Sequence, residues 1–201
     1  MKYRKVVFHV ENKEKIGEFI GLIAGDGGIS FYQKKRNYKI RLYLSASQPR
    51  LLVRAVLLFI ELFEIYPRVY DHRKRKSSEK FYSVEIESKR VFRFIQEYLK
   101  WGLGRRCRTI SLKHETEWYL PDFLRGFVRG LVESDGWVSH KQVGFTSVSP
   151  ALVVNFCQAL EILDYGFSVR CNQDKRENRA PLYHVIVRSF HDFLKDVKPI
   201  K

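Results

Sequence analysis

Apolar positions along this chain switch between a period near four and a period of two, in an order that occurs twice. Two segments that end in FIGLIAGDG at 19–27 and VRGLVESDG at 128–136 carry small residues at every fourth place, at Gly17, Gly21 and Gly25 and again at Gly126, Gly130 and Ser134. That spacing predicts two amphipathic helices, each with one smooth face. Period two follows each of them. In the first case it predicts strands over Ile29 to Gln33 and Tyr38 to Ser45, joined by the basic turn Lys34-Lys35-Arg36-Asn37. Ile40, Leu42 and Leu44 then share one face, and Lys39, Arg41 and Tyr43 the other. In the second case the strands are Trp137 to His140 and Val143 to Thr146.

The order continues with a helix opening at Pro49 or Pro150, the favoured first helical position, after Gln48 or Ser149 as cap. Two more strands follow, at Arg68 to His72 and Phe81 to Glu87, and at Phe167 to Asn172 and Leu182 to Arg188. The hairpin loops between them, DHRKRKSSEK and NQDKRENRAP, are polar and basic. A short helix ends each half, at Val91 to Leu99 and Phe190 to Val197.

These parallels form an internal repeat. Pro49 and Leu51 match Pro150 and Leu152, Tyr82 and Val84 match Tyr183 and Val185, and Ser88 matches Ser189, all at an offset of 101. The Asp-Gly pairs lie 109 apart, so the first half carries eight extra residues between Asp26 and Pro49. A hairpin absorbs such length at little entropic cost. The expected fold class is α+β, with two pseudo-twofold-related αββαββα halves whose four-stranded antiparallel sheets are covered by helices on one face and open on the other. The expected division is residues 1–103 for the first half, 104–120 for a linker without clear period, and 121–201 for the second half.

Five glycines within helices each cost up to about 1 kcal/mol relative to alanine, which calls for a compensating gain. Side-by-side packing of the two smooth faces supplies one. It also brings Asp26 and Asp135 together at the same end, where helix C-termini and mutual repulsion both disfavour carboxylates and favour a cation. Mg²⁺ takes few carboxylates and keeps its waters, leaving room for a phosphate oxygen and an attacking water. This arrangement suits phosphodiester hydrolysis.

Charge narrows the partner. Lys and Arg number 37 against 22 Asp and Glu, a net charge of +15, while 45% of the residues are hydrophobic. That is the composition of a globular chain whose field attracts polyanions, with nucleic acid foremost. The opening MKYRKVVFHVENKE has only a short apolar run, and Arg54 and Glu61 interrupt the most apolar stretch, so neither a signal peptide nor a membrane span is expected. Cys107, Cys157 and Cys171 show no metal-ligand spacing and are odd in number, which argues for an intracellular protein of the cytoplasm or nucleoid.

The paired motifs make the chain resemble the LAGLIDADG homing endonucleases of the single-chain, two-motif type found in archaeal introns and inteins. The resemblance covers nearly the whole chain and implies that the two motif helices form the interface, with two sheets making a saddle that grips double-stranded DNA. It implies that Asp26 and Asp135 hold two or more divalent cations, Mg²⁺ by preference, with the carbonyls of Gly25 and Ser134 as additional ligands. Ala24 and Glu133 depart from the family's usual sixth motif position, outside the metal site. The accessory lysines and glutamines that the family places near the scissile phosphates have candidates in Lys34, Lys35, Lys39, Lys141, Gln33 and Gln142.

For DNA contact, the outward strand residues are Ser30, Tyr32, Lys39, Arg41, Tyr43, Arg68, Tyr70 and His72 in the first half. In the second they are Ser139, Lys141, Gln142, Thr146, Ser168, Arg170 and Asn172. Donors and flat rings of this kind suit base edges and phosphates in a groove. Lys34, Lys35 and Arg36, with the loop cations Arg73, Lys74, Arg75, Lys175, Arg176 and Arg179, suit phosphate contact. The expected protein is a monomeric, Mg²⁺-dependent, site-specific DNA endonuclease. Its alternative is a non-cleaving intron RNA maturase or DNA-binding protein on the same scaffold.

Overall fold

A computed structural model describes residues 7–9, 11–32, 37–73, 80–101, 108–113, 120–173 and 180–200. Helix α1 (Lys13–Gly25) starts at Asn12, whose Oδ1 accepts the Lys15 N–H at 3.0 Å, and runs through Asp26 into strand β1 (Gly27–Tyr32). Strand β2 (Asn37–Ser45) pairs back on β1, and helix α2 (Pro49–Phe63) follows. Strands β3 (Arg68–Arg73) and β4 (Lys80–Glu87) complete an antiparallel sheet of order β1-β2-β4-β3, and helix α3 (Lys89–Tyr98) closes the half. After two short strands, β5 (Leu99–Lys100) and β6 (Ser111–Leu112), the pattern recurs. It runs through α4 (Pro121–Asp135), β7 (Gly136–Val138), β8 (Val143–Ser147), α5 (Pro150–Ile162), β9 (Phe167–Asn172), β10 (Leu182–Val187) and α6 (Phe190–Val197). Its sheet has the equivalent order β7-β8-β10-β9.

The two αββαββα halves thus match the expected class. Alternation places Ile40, Leu42, Leu44, Val84 and Ile86 in the core on one side of the first sheet, each at most 5% exposed. Phe19 meets Phe59 and Phe63 edge-on, with ring centroids 5.2 and 5.1 Å apart, so α1 and α2 share one aromatic core.

Element ends differ from expectation where caps and turns decide them. Helix α3 begins at Lys89 because Ser88 Oγ accepts the Val91 N–H at 3.3 Å. Strand β7 stops at Val138, since the Ser139 N–H turns to the Gln142 carbonyl at 2.8 Å. Ser149 caps α5 through the Leu152 N–H at 3.3 Å, whereas Gln48 makes no side-chain cap for α2. The first hairpin absorbs the extra length, as six- and nine-residue strands against three and five in the second.

Within the stretch expected as a linker, the described residues 108–113 are ordered. Strand β6 pairs with β5, the Leu112 N–H donates to Asn155 Oδ1 at 2.8 Å, and Ser149 Oγ donates to the Ile110 carbonyl at 2.8 Å. Ile110, Ser111 and Leu112 are buried, which straps the end of the first half to α5 of the second. The masking signal was the brevity of this segment, too short to show a period.

Candidate nucleic-acid interface and metal centre

Helices α1 and α4 pack backbone against backbone. A Cβ placed on Gly17 would lie 2.0 Å from the Phe123 carbonyl oxygen, and one on Gly126 would lie 1.9 Å from that of Glu14. At Gly21 and Gly130 the corresponding distances to the carbonyls of Phe127 and Glu18 are 2.4 and 2.3 Å. Only glycine permits this approach.

Charge pairs brace the seam. Glu18 is fully buried and accepts two hydrogen bonds of 2.6 Å from Arg54 and one of 3.3 Å from Arg129 of the opposite helix. Arg129 also pairs with Glu14 and donates to the Val197 carbonyl, tying the C-terminal segment to both motif helices. Glu133 lies inside the same region. Burial and the charge of Glu18 raise its carboxyl pKa to about 7, even though the Ile200 N–H donates to it at 3.1 Å.

At the far end of the seam the two candidate carboxylates emerge. Asp26 follows α1, its N–H donating to the Leu22 carbonyl at 3.0 Å and its carbonyl accepting the Tyr43 N–H at 3.1 Å. Asp135 is the last residue of α4 and is exposed. A Cβ on Gly25 would lie 3.4 Å from Asp135 Oδ2 and 2.0 Å from Ser134 Oγ, so the Asp135 side chain crosses the seam to the residue preceding Asp26. The glycine after each aspartate is packed against backbone, with a Cβ on Gly27 falling 2.4 Å from the Ile23 carbonyl oxygen and one on Gly136 falling 2.5 Å from that of Gly144. These contacts give the repeated Asp-Gly a steric reason.

The candidate donors at this end of the seam are oxygens alone, the carboxylates of Asp26 and Asp135 with the carbonyls of Gly25 and Ser134. Such a set fits a hard divalent cation that retains water. No group of three or more His, Cys, Asp or Glu arranged to hold a metal occurs among the described residues. Beside Gly136 lies a cavity of about 590 Å³ between the start of α2 and the end of α4, lined by Gln48, Arg50, Glu133, Trp137 and Ile200 among others. Sequence reasoning did not single out Arg50 or Trp137, because nothing local links residues so far apart in the chain.

The other candidates are dispersed. Lys39 is paired with Glu85, while Lys141 and Gln142 stand exposed in the β7–β8 turn, roughly 10 Å of strand from Asp135. Gln33, Lys34, Lys35, Arg36, Lys74, Arg75, Lys175, Arg176 and Arg179 lie outside the described residues. Tyr32 and Arg73 end their strands. On the open face of the first sheet, register aligns Ser30 with Lys39, Arg41 with Glu85 and Arg68, and Tyr43 with Ser83 and Tyr70. His72 bonds Ser83 Oγ at 2.8 Å and stacks on Phe81. On the second sheet Thr146 and Arg170 flank His184, whose Nδ1 is 3.2 Å from Thr146 Oγ1, while Ser168 and Asn172 lie along the same face of β9 and Ser139 sits in the β7–β8 turn.

The open face of the first sheet carries Glu85 and Glu87 of β4 beside Lys39 and Arg41. The alternation of Ser83, Glu85 and Glu87 with Val84 and Ile86 carried this signal, and the missed His184 sits between half-buried Tyr183 and buried Val185 on β10.

Comparison with known proteins bears on this geometry. The model of the LAGLIDADG-like domain matches twice, over residues 13–100 and 122–200. The chain belongs to this family. No curated protein matches it by sequence. Among solved structures, the homing endonuclease I-DmoI in complex with DNA and Ca superimposes with a TM-score of 0.63 at 17% identity, over 92% of this chain and 87% of that one. The homing endonuclease I-WcaI bound to its DNA recognition sequence gives 0.57 at 13% identity, over 92% and 80%. Full-length DUF199/WhiA from Thermatoga maritima gives 0.57 at 15% identity, over 94% of this chain and 55% of that one. The two-repeat LAGLIDADG fold is therefore shared across widely diverged sequences. No helix among the described residues is long and apolar enough to cross a membrane.

Proposed function

We propose that this chain is a monomeric, site-specific double-strand DNA endonuclease that hydrolyses phosphodiesters with divalent cations, Mg²⁺ by preference. The observation that carries the reading is the position of Asp26 and Asp135 at the ends of the two packed motif helices, on the same end of the glycine seam, where both open sheets begin. Membership of the LAGLIDADG-like family and the fold shared with homing endonucleases support it.

Asp26 and Asp135 would hold the cations, with the carbonyls of Gly25 and Ser134 beside them. When bound, such ions supply a positive field for the developing phosphorane charge and lower the pKa of an attacking water. The chain's own part is positional. The seam fixes the spacing of the two carboxylates through backbone contacts, and the hydrogen bond from Tyr43 to the Asp26 carbonyl locks the motif end to β2. The sheets lay the duplex across this point, and the loop cations hold its phosphates in a salt-dependent way. Two motifs in one chain provide both helices of the seam, so a second copy is unnecessary and sedimentation should give a species near 23.9 kDa.

The test is cleavage of a target selected from a randomised duplex library, with Mg²⁺ present, by the wild type and by Asp26→Asn, Asp135→Asn and the double variant. The wild type should cut both strands and the double variant neither. Undiminished cutting by the double variant would refute the assigned roles. Tight binding of the selected duplex, or of intron RNA, without cutting by the wild type would establish the non-cleaving alternative instead.

A further inference from the structure

A carboxylate occupies the middle of the face that DNA would meet. Glu85 projects from β4 on the open side of the first sheet, yet is only 8% exposed, because Lys39 and Arg41 fold over it. Its Oε1 accepts from Arg41 Nε at 3.2 Å and from Ser83 Oγ at 3.0 Å, and its Oε2 pairs with Lys39 Nζ. Ser83 is held in turn by His72 at 2.8 Å. Register sets Lys39 opposite Glu87, so its ammonium reaches diagonally past its own partner to meet Glu85, leaning toward the seam.

For a surface that merely attracts phosphate this arrangement is counterproductive. One ionised carboxylate offsets much of the field of two cations, and free lysines would bind the backbone better. Burial alone would push the Glu85 carboxyl upward, but the bonds from Lys39 and Ser83 and the charges of Lys39 and Arg41 hold it below its ordinary value. A tether of this kind is useful when the direction of the donors matters more than their charge. Direction matters in the major groove, where Arg and Lys read the O6 and N7 acceptors of guanine.

We propose that Glu85 is a specificity-determining positioning residue, holding Lys39 and Arg41 as an aligned donor pair that reads guanine in the half-site under the first sheet. The proposal rests on the DNA-binding reading above. The second sheet supplies an internal control, since the place equivalent to Glu85 is Ile186, opposite Gly144 and beside Trp137. The ammonium of Lys39 has three donors, of which Glu85 takes one, leaving capacity for a base edge. Lowering non-specific attraction while fixing the specific contact is how a protein gains discrimination without gaining affinity.

The experiment selects bound duplexes from a randomised library with the wild type, Glu85→Gln and Glu85→Asp, and measures affinity for a random-sequence duplex across a salt series. Thermal unfolding of each variant accompanies it. Glu85→Gln should lose about tenfold in base preference at guanine positions of one half-site. It should bind random duplex more tightly, with a salt slope steeper by up to about 0.9. Glu85→Asp keeps the charge but withdraws the carboxylate, so it should lose the same preference while its salt slope stays that of the wild type. Equal stringency in wild type and Glu85→Gln would overturn the proposal, as would a loss spread evenly over both half-sites, which marks general loosening. If the wild type itself enriches no sequence, the underlying reading of a sequence-specific DNA protein falls, and the role of Glu85 with it.

Discussion

Replacing Gly126 with alanine should destabilise the protein, against the direction that helix propensity alone predicts. In an isolated helix the change would gain up to about 1 kcal/mol. Here the new methyl would sit 1.9 Å from the Glu14 carbonyl oxygen and 2.7 Å from the Glu18 nitrogen, both backbone atoms that no side-chain rotation can move aside. Ordinary contact begins near 3.4 Å, so α1 and α4 must separate by roughly 1 to 1.5 Å, loosening contacts along a fully buried seam. Overpacking of this type costs about 1 to 3 kcal/mol, and here the cost falls on two helices at once, so a net loss near 2 kcal/mol is expected. For a chain of this size that lowers the melting midpoint by about 4 to 8 °C. Thermal unfolding followed by circular dichroism measures it, with Gly166→Ala as control, where the nearest neighbour of an added Cβ is 3.8 Å away. A Gly126→Ala variant as stable as the wild type, or more so, would show that the seam is not set by backbone contact. The placement of both aspartates would then lose its physical basis.

Arg54→Met should cost about 3 to 5 kcal/mol, because it leaves the fully buried Glu18 carboxylate with Arg129 as its remaining guanidinium partner. Adding Glu18→Gln should recover most of that loss in denaturant titrations, and failure to recover would mean that Arg54 acts through packing instead. Burial and the charge of Glu161 push the Cys157 thiol up to about 11, so little thiolate exists at pH 8. Iodoacetamide at pH 8 should therefore label exposed Cys171 well before half-buried Cys157 in peptide mass mapping, and rates in the reverse order would contradict the burial.

Much of this architecture was legible because its causes are local. Period two separates Ile40, Leu42 and Leu44 from Lys39, Arg41 and Tyr43 whatever surrounds them, and Pro49 and Pro150 announce helices by their fixed φ. The seam was legible for a different reason, since glycines at four-residue intervals are costly unless something comes close. What escaped were relations between elements. Nothing near Glu85 in the chain indicates that Lys39 and Arg41 will lean on it, for the pairing depends on β2 lying beside β4 in one register. Glu133 posed the same difficulty, as its perturbed carboxyl reflects Glu18 of the opposite helix and the returning C-terminus. The strap at Ile110 to Leu112 likewise draws its order from Asn155 and Ser149, about forty residues downstream.

The unequal hairpins bear on footprint. Counted from the glycine after each aspartate, the paired hairpin runs six residues, about 20 Å, in the first half against three, about 10 Å, in the second. Stacked base pairs rise by nearly the same increment as extended residues, roughly 3.4 Å each. A duplex centred over the two aspartates would be covered for several more base pairs to one side than to the other, so its recognition sequence would be lopsided rather than palindromic.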